Sequence, residues 1–176
     1  GAKHGVLAAG LFALTQRVLS APIALLASSV LEVFKRQSVQ DFHDLGNCAK
    51  TYRHTFKVLV ALACGPTLIL FFFSPQLFTW VFGPNWREAG ELARLLAPLC
   101  FFRFVASPLS YVFYVAGKQK IDLLWQIALL LLTLAAFAAP LTLKQGLLCY
   151  VAGYSLLYVV YLLLSYHYSK NIQDTR

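Results

Sequence analysis

The sequence contains few charged side chains. Only 12% of its 176 residues are charged, whereas 59% are hydrophobic. An average soluble domain has about 25% charged residues and about 45–50% apolar residues. A soluble fold of this length has too much surface to cover with so few charges. The composition therefore excludes an ordinary soluble domain and indicates a membrane protein.

The chain also lacks methionine. It begins Gly-Ala-Lys-His and contains no methionine at any position. No short apolar region followed by a cleavage site follows this start, as a secretory signal would require. A protein translated from its own start codon would begin with methionine. We therefore expect the sequence to be a fragment with upstream sequence missing.

Motifs for metal binding and for covalent chemistry are missing as well. The four cysteines are far apart, and no pair has the short spacing of a zinc site or a redox motif. No phosphate-binding loop, serine nucleophile motif or pair of carboxylates is present. We therefore predict that the protein is not an enzyme and holds neither a metal nor a cofactor.

The positive charge does not indicate nucleic-acid binding. The formal net charge is +8, but the basic residues lie mostly between hydrophobic runs and do not form one patch or stripe. This is the distribution that the positive-inside bias produces in membrane proteins. We predict membrane lipids as partners, and no nucleic acid.

Five apolar segments are long enough to predict membrane-spanning helices. The first has 26 residues and would be about 39 Å long as a helix, enough to cross a bilayer with some tilt. Two tryptophans in the 76–90 segment are typical of a membrane interface. We predict an all-α integral membrane protein whose spans are residues 6–31, 58–73, 95–116, 121–139 and 147–165.

The orientation follows from the lysines and arginines between the spans. The 35–57 link has five, the 117–120 link has two and the 167–176 tail has two, whereas the 76–90 and 140–146 links have one each. Basic links favour the cytoplasmic side. We therefore predict a cytoplasmic 35–57 link and a cytoplasmic C-terminal tail. The 38–57 part of that link is compatible with an amphipathic surface helix or an ordinary loop.

Two arginines lie near the middle of predicted spans. Arg17 is in the first span and Arg103 in the third. An arginine at the bilayer centre costs at least roughly 2.5–3.5 kcal/mol, so each should face protein or a water-filled cavity. Small residues at helical steps from each arginine support an inward face. Glu32 and Asp122 lie at span ends, so no acid is visible at that depth.

Two inward cations without an acid partner suggest an anionic ligand, because guanidinium groups match phosphate oxygens. The alternative is that each arginine pairs with a backbone carbonyl or with an acid in missing sequence. The candidate binding residues are the two arginines and the polar residues near them: Arg17, Arg103, Ser20, Ser107, Ser110 and Gln126.

One of these residues, Gln126, and a tyrosine stripe outside the list have competing interpretations. Gln126 is compatible with a pore contact or with an interfacial position. Four tyrosines, at positions 150, 154, 158 and 161, share one face of the fifth span. Such a stripe could stack on sugars, but in helices it more often packs against protein or lipid.

Three segments carry a family resemblance. Residues 10–22, GLFALTQRVLSAP, resemble the "G-x-Y-A-L-A-x-R-x-L-x-x-P" helix of bacterial polysaccharide flippases. Residues 81–90, VFGPNWREAG, are similar to their "FG-x-x-W-x-x-A" motif at an outer membrane edge. The "SPLS" of segment 104–110, followed by GKQ at 117–119, is similar to their "S-P-L-S … G-K/R-Q" segment. The family is the oligosaccharide-lipid branch of the multidrug/oligosaccharidyl-lipid/polysaccharide flippase superfamily.

The resemblance implies a two-lobed transporter of about twelve helices, with this chain as the last five helices of the second lobe. Family members move undecaprenyl-diphosphate-linked oligosaccharides across the bacterial inner membrane, as in O-antigen and lipopolysaccharide biosynthesis. The expected partners are the lipid-linked oligosaccharide and a coupling ion, either a proton or sodium. Arg17 lies at the arginine of the first motif, and the resemblance implies a cationic cavity for the lipid diphosphate.

Three other functions remain open. A multidrug or cation antiporter of the same superfamily would require inward acids, and none is evident. A membrane-embedded sugar polymerase or glycosyltransferase would require a long outer loop with catalytic residues, and the outer links are short. A purely structural membrane subunit would leave the mid-membrane arginines without a function.

Overall fold

The computed structural model describes residues 27–138 and 142–170, and these ranges contain helices and turns but no strand. Residues 27–45 are helical and are called α1. The other elements, in chain order, are α2 (Ala49–Phe82), a 3₁₀ turn (Pro84–Trp86), α3 (Arg87–Leu109), α4 (Val112–Val115), α5 (Gln119–Ala138) and α6 (Leu143–Lys170).

Within the described ranges, four helical segments are long and apolar enough to cross a membrane: Ala49–Phe82, Pro84–Val115, Gln119–Ala138 and Gln145–Lys170. They correspond to the second to fifth predicted spans. Most of the first predicted span, 6–31, lies outside the described residues. The prediction of an all-α, multi-pass membrane protein is confirmed.

The outer surface of the helices is apolar. α2 exposes Phe72 and Phe73, α5 exposes Leu130 and Leu131, and Trp80 is 86% exposed. In water, such an uninterrupted apolar surface would be a large aggregation-prone patch. In a bilayer the same surface contacts lipid chains, which are as apolar as the exposed side chains.

The second membrane helix is longer than predicted. We expected the span 58–73 to close at Ser74-Pro75, but α2 continues to Phe82 with Pro66 and Pro75 inside it. Membrane helices tolerate internal proline when neighbouring groups satisfy the freed backbone. The helix ends only at Gly83, whose φ of 98° favours glycine.

The polar 35–57 link is helical over most of its length. α1 continues to residue 45, and α2 begins at Ala49. The break between them contains Gly46, with φ of 69°. α2 has 34 residues and is therefore about 51 Å long, whereas the hydrocarbon core is about 30 Å thick. Its polar first part, 49–57, therefore extends beyond the hydrocarbon.

α2 and α3 approach each other closely at Gly90. A Cβ atom on Gly90 would lie 2.5 Å from the Cα of Pro75. The hydroxyl of Ser74 donates to the Gly90 carbonyl at 2.8 Å, and Ala89 and Ala93 are fully buried beside it. Small residues permit this contact between membrane helices, where lipid provides little driving force for association.

Polar contacts tie α2 to α6 at the end that is predicted to be cytoplasmic. The hydroxyl of Tyr52 is 2.6 Å from the hydroxyl of Ser165 and 3.1 Å from the carbonyl of Leu162. The backbone N–H of Cys48 donates to the carbonyl of Ser169 at 3.1 Å. These bonds hold the start of α2 against the end of α6.

The orientation remains a prediction, and cysteine labelling would test it. We expect a cysteine at the exposed positions of Gln40 or Lys120 to react only from the cytoplasm, and one at Asn85 or Gln145 only from outside. Reaction of positions 85 and 120 from the same side would contradict the orientation.

The native Cys48 should not interfere with this labelling. Burial raises the pKa of its thiol to about 11, and the charge of Asp41 adds to the effect. The thiolate is the reactive form, so Cys48 stays protonated and slow to react at pH 8. We expect the protein with Cys64, Cys100 and Cys149 replaced by alanine to label only when the new cysteine is added.

Candidate ligand-binding site

A polar and aromatic cavity of about 240 Å³ lies between α3, α4, α5 and α6. It is lined by a cation, a carboxylate, an amide, two serine hydroxyls and four aromatic rings, three of them tyrosines. The lining residues are Arg103, Ala106, Ser107, Ser110, Tyr114, Asp122, Trp125, Gln126, Tyr158 and Tyr161.

α3 supplies one wall of this cavity. Arg103, Ser107 and Ser110 follow one another at steps of four and three residues, which places them on one face of a helix. The helix ends at Leu109, and the Ser110 hydroxyl donates to the carbonyl of Ser107 at 2.7 Å. The backbone turn after α3 therefore holds the two serines beside each other.

Arg103 brings a positive charge to the cavity wall. Its side chain is exposed, and it makes no hydrogen bond in the part of the chain that the structure describes. The ion pairs among those residues join Lys35 to Glu32 and His43 to Asp44, so Arg103 has no carboxylate partner there. A guanidinium without a partner can donate hydrogen bonds to an incoming oxyanion without first breaking an ion pair.

Asp122 lines the same cavity, which changes the expectation that no acid faces the interior. It lies in the first turn of α5, near the span end where the sequence placed it, but it is only 7% exposed. Its carboxylate accepts hydrogen bonds from the amide of Gln126 at 2.9 Å, from the hydroxyl of Tyr114 at 3.3 Å and from the hydroxyl of Tyr161. The turn after α3 and the short α4 bring Tyr114 to it.

Three hydrogen bonds satisfy the Asp122 carboxylate without a cation. Donors that stabilise a charged carboxylate lower the free-energy cost of its burial. The same bonds orient Gln126 and Tyr161 toward the cavity. Asp122 therefore organises the polar end of the site.

Aromatic rings form the opposite wall. The rings of Trp125 and Tyr161 stack with centroids 4.1 Å apart and an angle of 25°. Tyr158 packs against Trp125 at 5.0 Å, and the indole N–H of Trp125 donates to the carbonyl of Leu157 at 3.3 Å. The wall is therefore a pre-positioned apolar surface beside polar groups.

The predicted tyrosine stripe has two parts. Tyr158 and Tyr161 line the cavity, whereas Tyr150 and Tyr154 pack on each other with centroids 4.3 Å apart. The Tyr154 hydroxyl lies 2.6 Å from that of Thr133 on α5. The second pair therefore joins α5 to α6, as expected for packing.

Four of the candidate residues from the sequence meet in this one cavity: Arg103, Ser107, Ser110 and Gln126. The other two, Arg17 and Ser20, lie outside the described residues. The role of all six in binding remains a prediction. The sequence interpretation missed Asp122, although its spacing of four residues from Gln126 was a usable signal, and it did not single out Trp125.

The cavity has the chemistry to bind a polar anionic ligand. The guanidinium can pair with phosphate, the hydroxyl and amide groups can bind sugar hydroxyls, and the rings offer stacking surfaces. Within residues 27–138 and 142–170, no group of three or more histidine, cysteine, aspartate or glutamate side chains could hold a metal ion.

Comparisons of the chain with protein-family models, with curated proteins and with solved structures gave no match. The resemblance to flippases therefore rests on the three sequence segments. Of these, 81–90 forms the junction of α2 and α3, and 104–110 forms the end of α3 beside the cavity. The segment 10–22 lies outside the described residues.

Proposed function

We propose that the chain is part of a transporter that moves lipid-linked oligosaccharides across the bacterial inner membrane. The observation that carries the proposal is Arg103, a cation on a span that lines a polar and aromatic cavity without an ion-pair partner among the described residues. Keeping such a group within a membrane span is costly unless it binds something.

The cavity favours a ligand that is both anionic and sugar-like. Arg103 would hold a phosphate oxygen of the lipid diphosphate, and Ser107, Gln126 and the Trp125 ring would contact the adjoining sugar. The cavity volume of about 240 Å³ is below the range of about 300–1,000 Å³ typical of ligand pockets. The site would therefore hold only part of the ligand, and the polyprenyl tail would stay in lipid.

The second candidate is the multidrug or cation antiporter. Asp122 favours it, because a buried carboxylate in a membrane cavity is a common feature of cation and proton pathways. Three hydrogen bonds already satisfy that carboxylate, however, whereas Arg103 is left to meet a ligand. In our proposal Arg103 contacts the substrate, and Asp122 positions the polar groups or binds a coupling proton or sodium ion.

The remaining assignments follow from the proposal. The protein would lie in the inner membrane with its C-terminus in the cytoplasm, and its partners would be the lipid-linked substrate, membrane lipids and a coupling ion. It would carry out no covalent chemistry. A membrane-embedded polymerase or glycosyltransferase would instead change the glycosidic bonds of the substrate.

Transport by the purified full-length protein in liposomes would test the proposal. We expect a fluorescent undecaprenyl-diphosphate oligosaccharide to move between leaflets, as measured by its protection from a membrane-impermeant quencher. The control is the same lipid in liposomes without protein. Chemical analysis of the recovered lipid should show an unchanged sugar.

Three results would contradict the proposal. Movement of a cationic dye without movement of the lipid would favour the antiporter. A recovered lipid with altered sugar linkages would favour the enzyme. An unchanged distribution of both the lipid and the dye would favour the structural subunit.

A further inference from the structure

A second cavity lies on a different face of α3 from Arg103. It is a groove of about 470 Å³ between α2 and α6, with Phe102 contributed by α3. Consecutive residues on a helix point about 100° apart, so Phe102 and Arg103 face different spaces. The groove is lined by Tyr52, Arg53, Phe56, Lys57, Phe102, Val159, Leu162, Leu163 and Tyr166.

The walls of the groove are apolar and its rim is basic. Phe56, Val159 and Leu163 are exposed along it, as expected of side chains in contact with lipid. Arg53 and Lys57 lie four residues apart on α2, which places both on the same face of the helix. The groove therefore has apolar walls and two cations along its α2 edge.

No carboxylate in the two helices neutralises these cations. α2 and α6 contain no aspartate or glutamate at any position. Among the described residues, neither Arg53 nor Lys57 takes part in an ion pair. Lys170 adds a third positive charge nearby, with its ammonium 4.3 Å from the ring centroid of Tyr166.

The cations lie at the depth where lipid headgroups would be. They fall in the last part of the polar segment 49–57, and the apolar part of α2 begins at Val58. On α6 the lining runs from Tyr166 back to Val159, which lies nearer the middle of that span. A phosphate at the rim would therefore be at headgroup depth while an acyl chain entered the groove.

The rim is also held in a fixed arrangement. The hydroxyl of Tyr52, next to Arg53, is hydrogen-bonded to the Ser165 hydroxyl and the Leu162 carbonyl of α6. The Arg53 guanidinium lies 5.7 Å from the ring centroid of Tyr166. Pre-positioned groups lose less conformational entropy when a ligand binds.

We propose that this groove binds one anionic glycerophospholipid. Its phosphate pairs with Arg53 and Lys57, and one acyl chain lies between α2 and α6. The bilayer itself supplies the occupant, because an apolar groove at hydrocarbon depth is filled by lipid chains and the two cations select an anionic headgroup. The proposal rests on the membrane fold and is independent of the transported substrate.

Native mass spectrometry of the purified full-length protein, titrated with phosphatidylglycerol, would test this site. We expect one tightly bound phosphatidylglycerol and weaker binding of phosphatidylcholine with the same acyl chains. The double variant Arg53→Ala/Lys57→Ala should bind phosphatidylglycerol about 30-fold more weakly, because each cation near a membrane surface contributes about fivefold. The matched control Lys118→Ala/Lys120→Ala removes two cations at the start of α5, away from the groove, and should bind normally.

A second pair of variants tests the apolar part of the groove. Val159→Trp should block the acyl chain and weaken phosphatidylglycerol binding while both cations remain. Val160→Trp, at the neighbouring exposed position outside the groove, should have no effect. Each variant is compared at equal yield of folded protein.

Several outcomes would overturn the proposal. Equal binding of phosphatidylglycerol and phosphatidylcholine would make the groove an unselective lipid contact. Normal binding by the double alanine variant would show that Arg53 and Lys57 do not bind the headgroup. Normal binding by Val159→Trp would show that the acyl chain does not lie in the groove. Displacement of phosphatidylglycerol by undecaprenyl diphosphate would assign the groove to the tail of the transported lipid. In contrast, if the unmodified protein binds phosphatidylglycerol as expected but does not move the lipid-linked oligosaccharide in the liposome assay, only the function proposed above is contradicted.

Discussion

Replacing Arg103 with alanine is expected to remove most of the affinity for a lipid diphosphate and, with it, transport. Losing a hydrogen bond to a charged group costs about 1.5–3 kcal/mol, which corresponds to at least about a tenfold loss of affinity. Arg103→Lys should restore only part of the binding, since lysine offers a point charge in place of a planar, two-pronged donor. Binding of a fluorescent lipid diphosphate and protein abundance should be measured together.

Arg94 on the same helix provides the matched control. Its guanidinium lies 5.4 Å from the ring centroid of Phe71 and does not line the Arg103 cavity. Arg94→Ala should therefore leave affinity for the lipid diphosphate close to that of the unmodified protein. If Arg103→Ala binds and transports normally at unchanged abundance, the proposed site is wrong. If transport falls only in proportion to abundance, Arg103 has a structural role.

Replacing Gly90 with leucine is expected to separate α2 from α3 and destabilise the fold. Even the Cβ would lie 2.5 Å from the Pro75 Cα and 2.7 Å from the Ser74 carbonyl oxygen, and neither backbone atom can rotate away. Overpacking a well-packed contact costs about 1–3 kcal/mol, and a clash with backbone should lie at or above the upper end. For a chain of this length we expect the melting temperature to fall by about 6–12 °C.

Gly65 on α2 provides the control, because replacing it also removes a glycine but creates no clash between helices. A Cβ at Gly65 would meet no atom within 4 Å. Gly65→Leu should therefore melt close to the unmodified protein, as monitored by size-exclusion chromatography after heating in detergent. Equal melting temperatures for the two variants would show that the contact at Gly90 does not determine stability.

The membrane fold and one wall of the site were predictable from the sequence alone, because both depend on local patterns. Long apolar runs predict spanning helices in lipid, where backbone groups must be satisfied within each segment. Helical spacing placed Arg103, Ser107 and Ser110 on one face before any contact was known. The C-terminal end of α2 was mispredicted because a proline that stops a helix in water is tolerated in a membrane helix.

Only the tertiary structure decided which helices meet and what their faces enclose. Asp122 and Tyr161 are 39 positions apart and touch because α5 packs on α6. The approach of Gly90 to Pro75, and the groove between α2 and α6, depend in the same way on helix packing. Lipid chains are as apolar as the side chains they surround, so hydrophobicity drives insertion but does not select helix partners. Close packing and interhelical hydrogen bonds select them, and both depend on the three-dimensional arrangement.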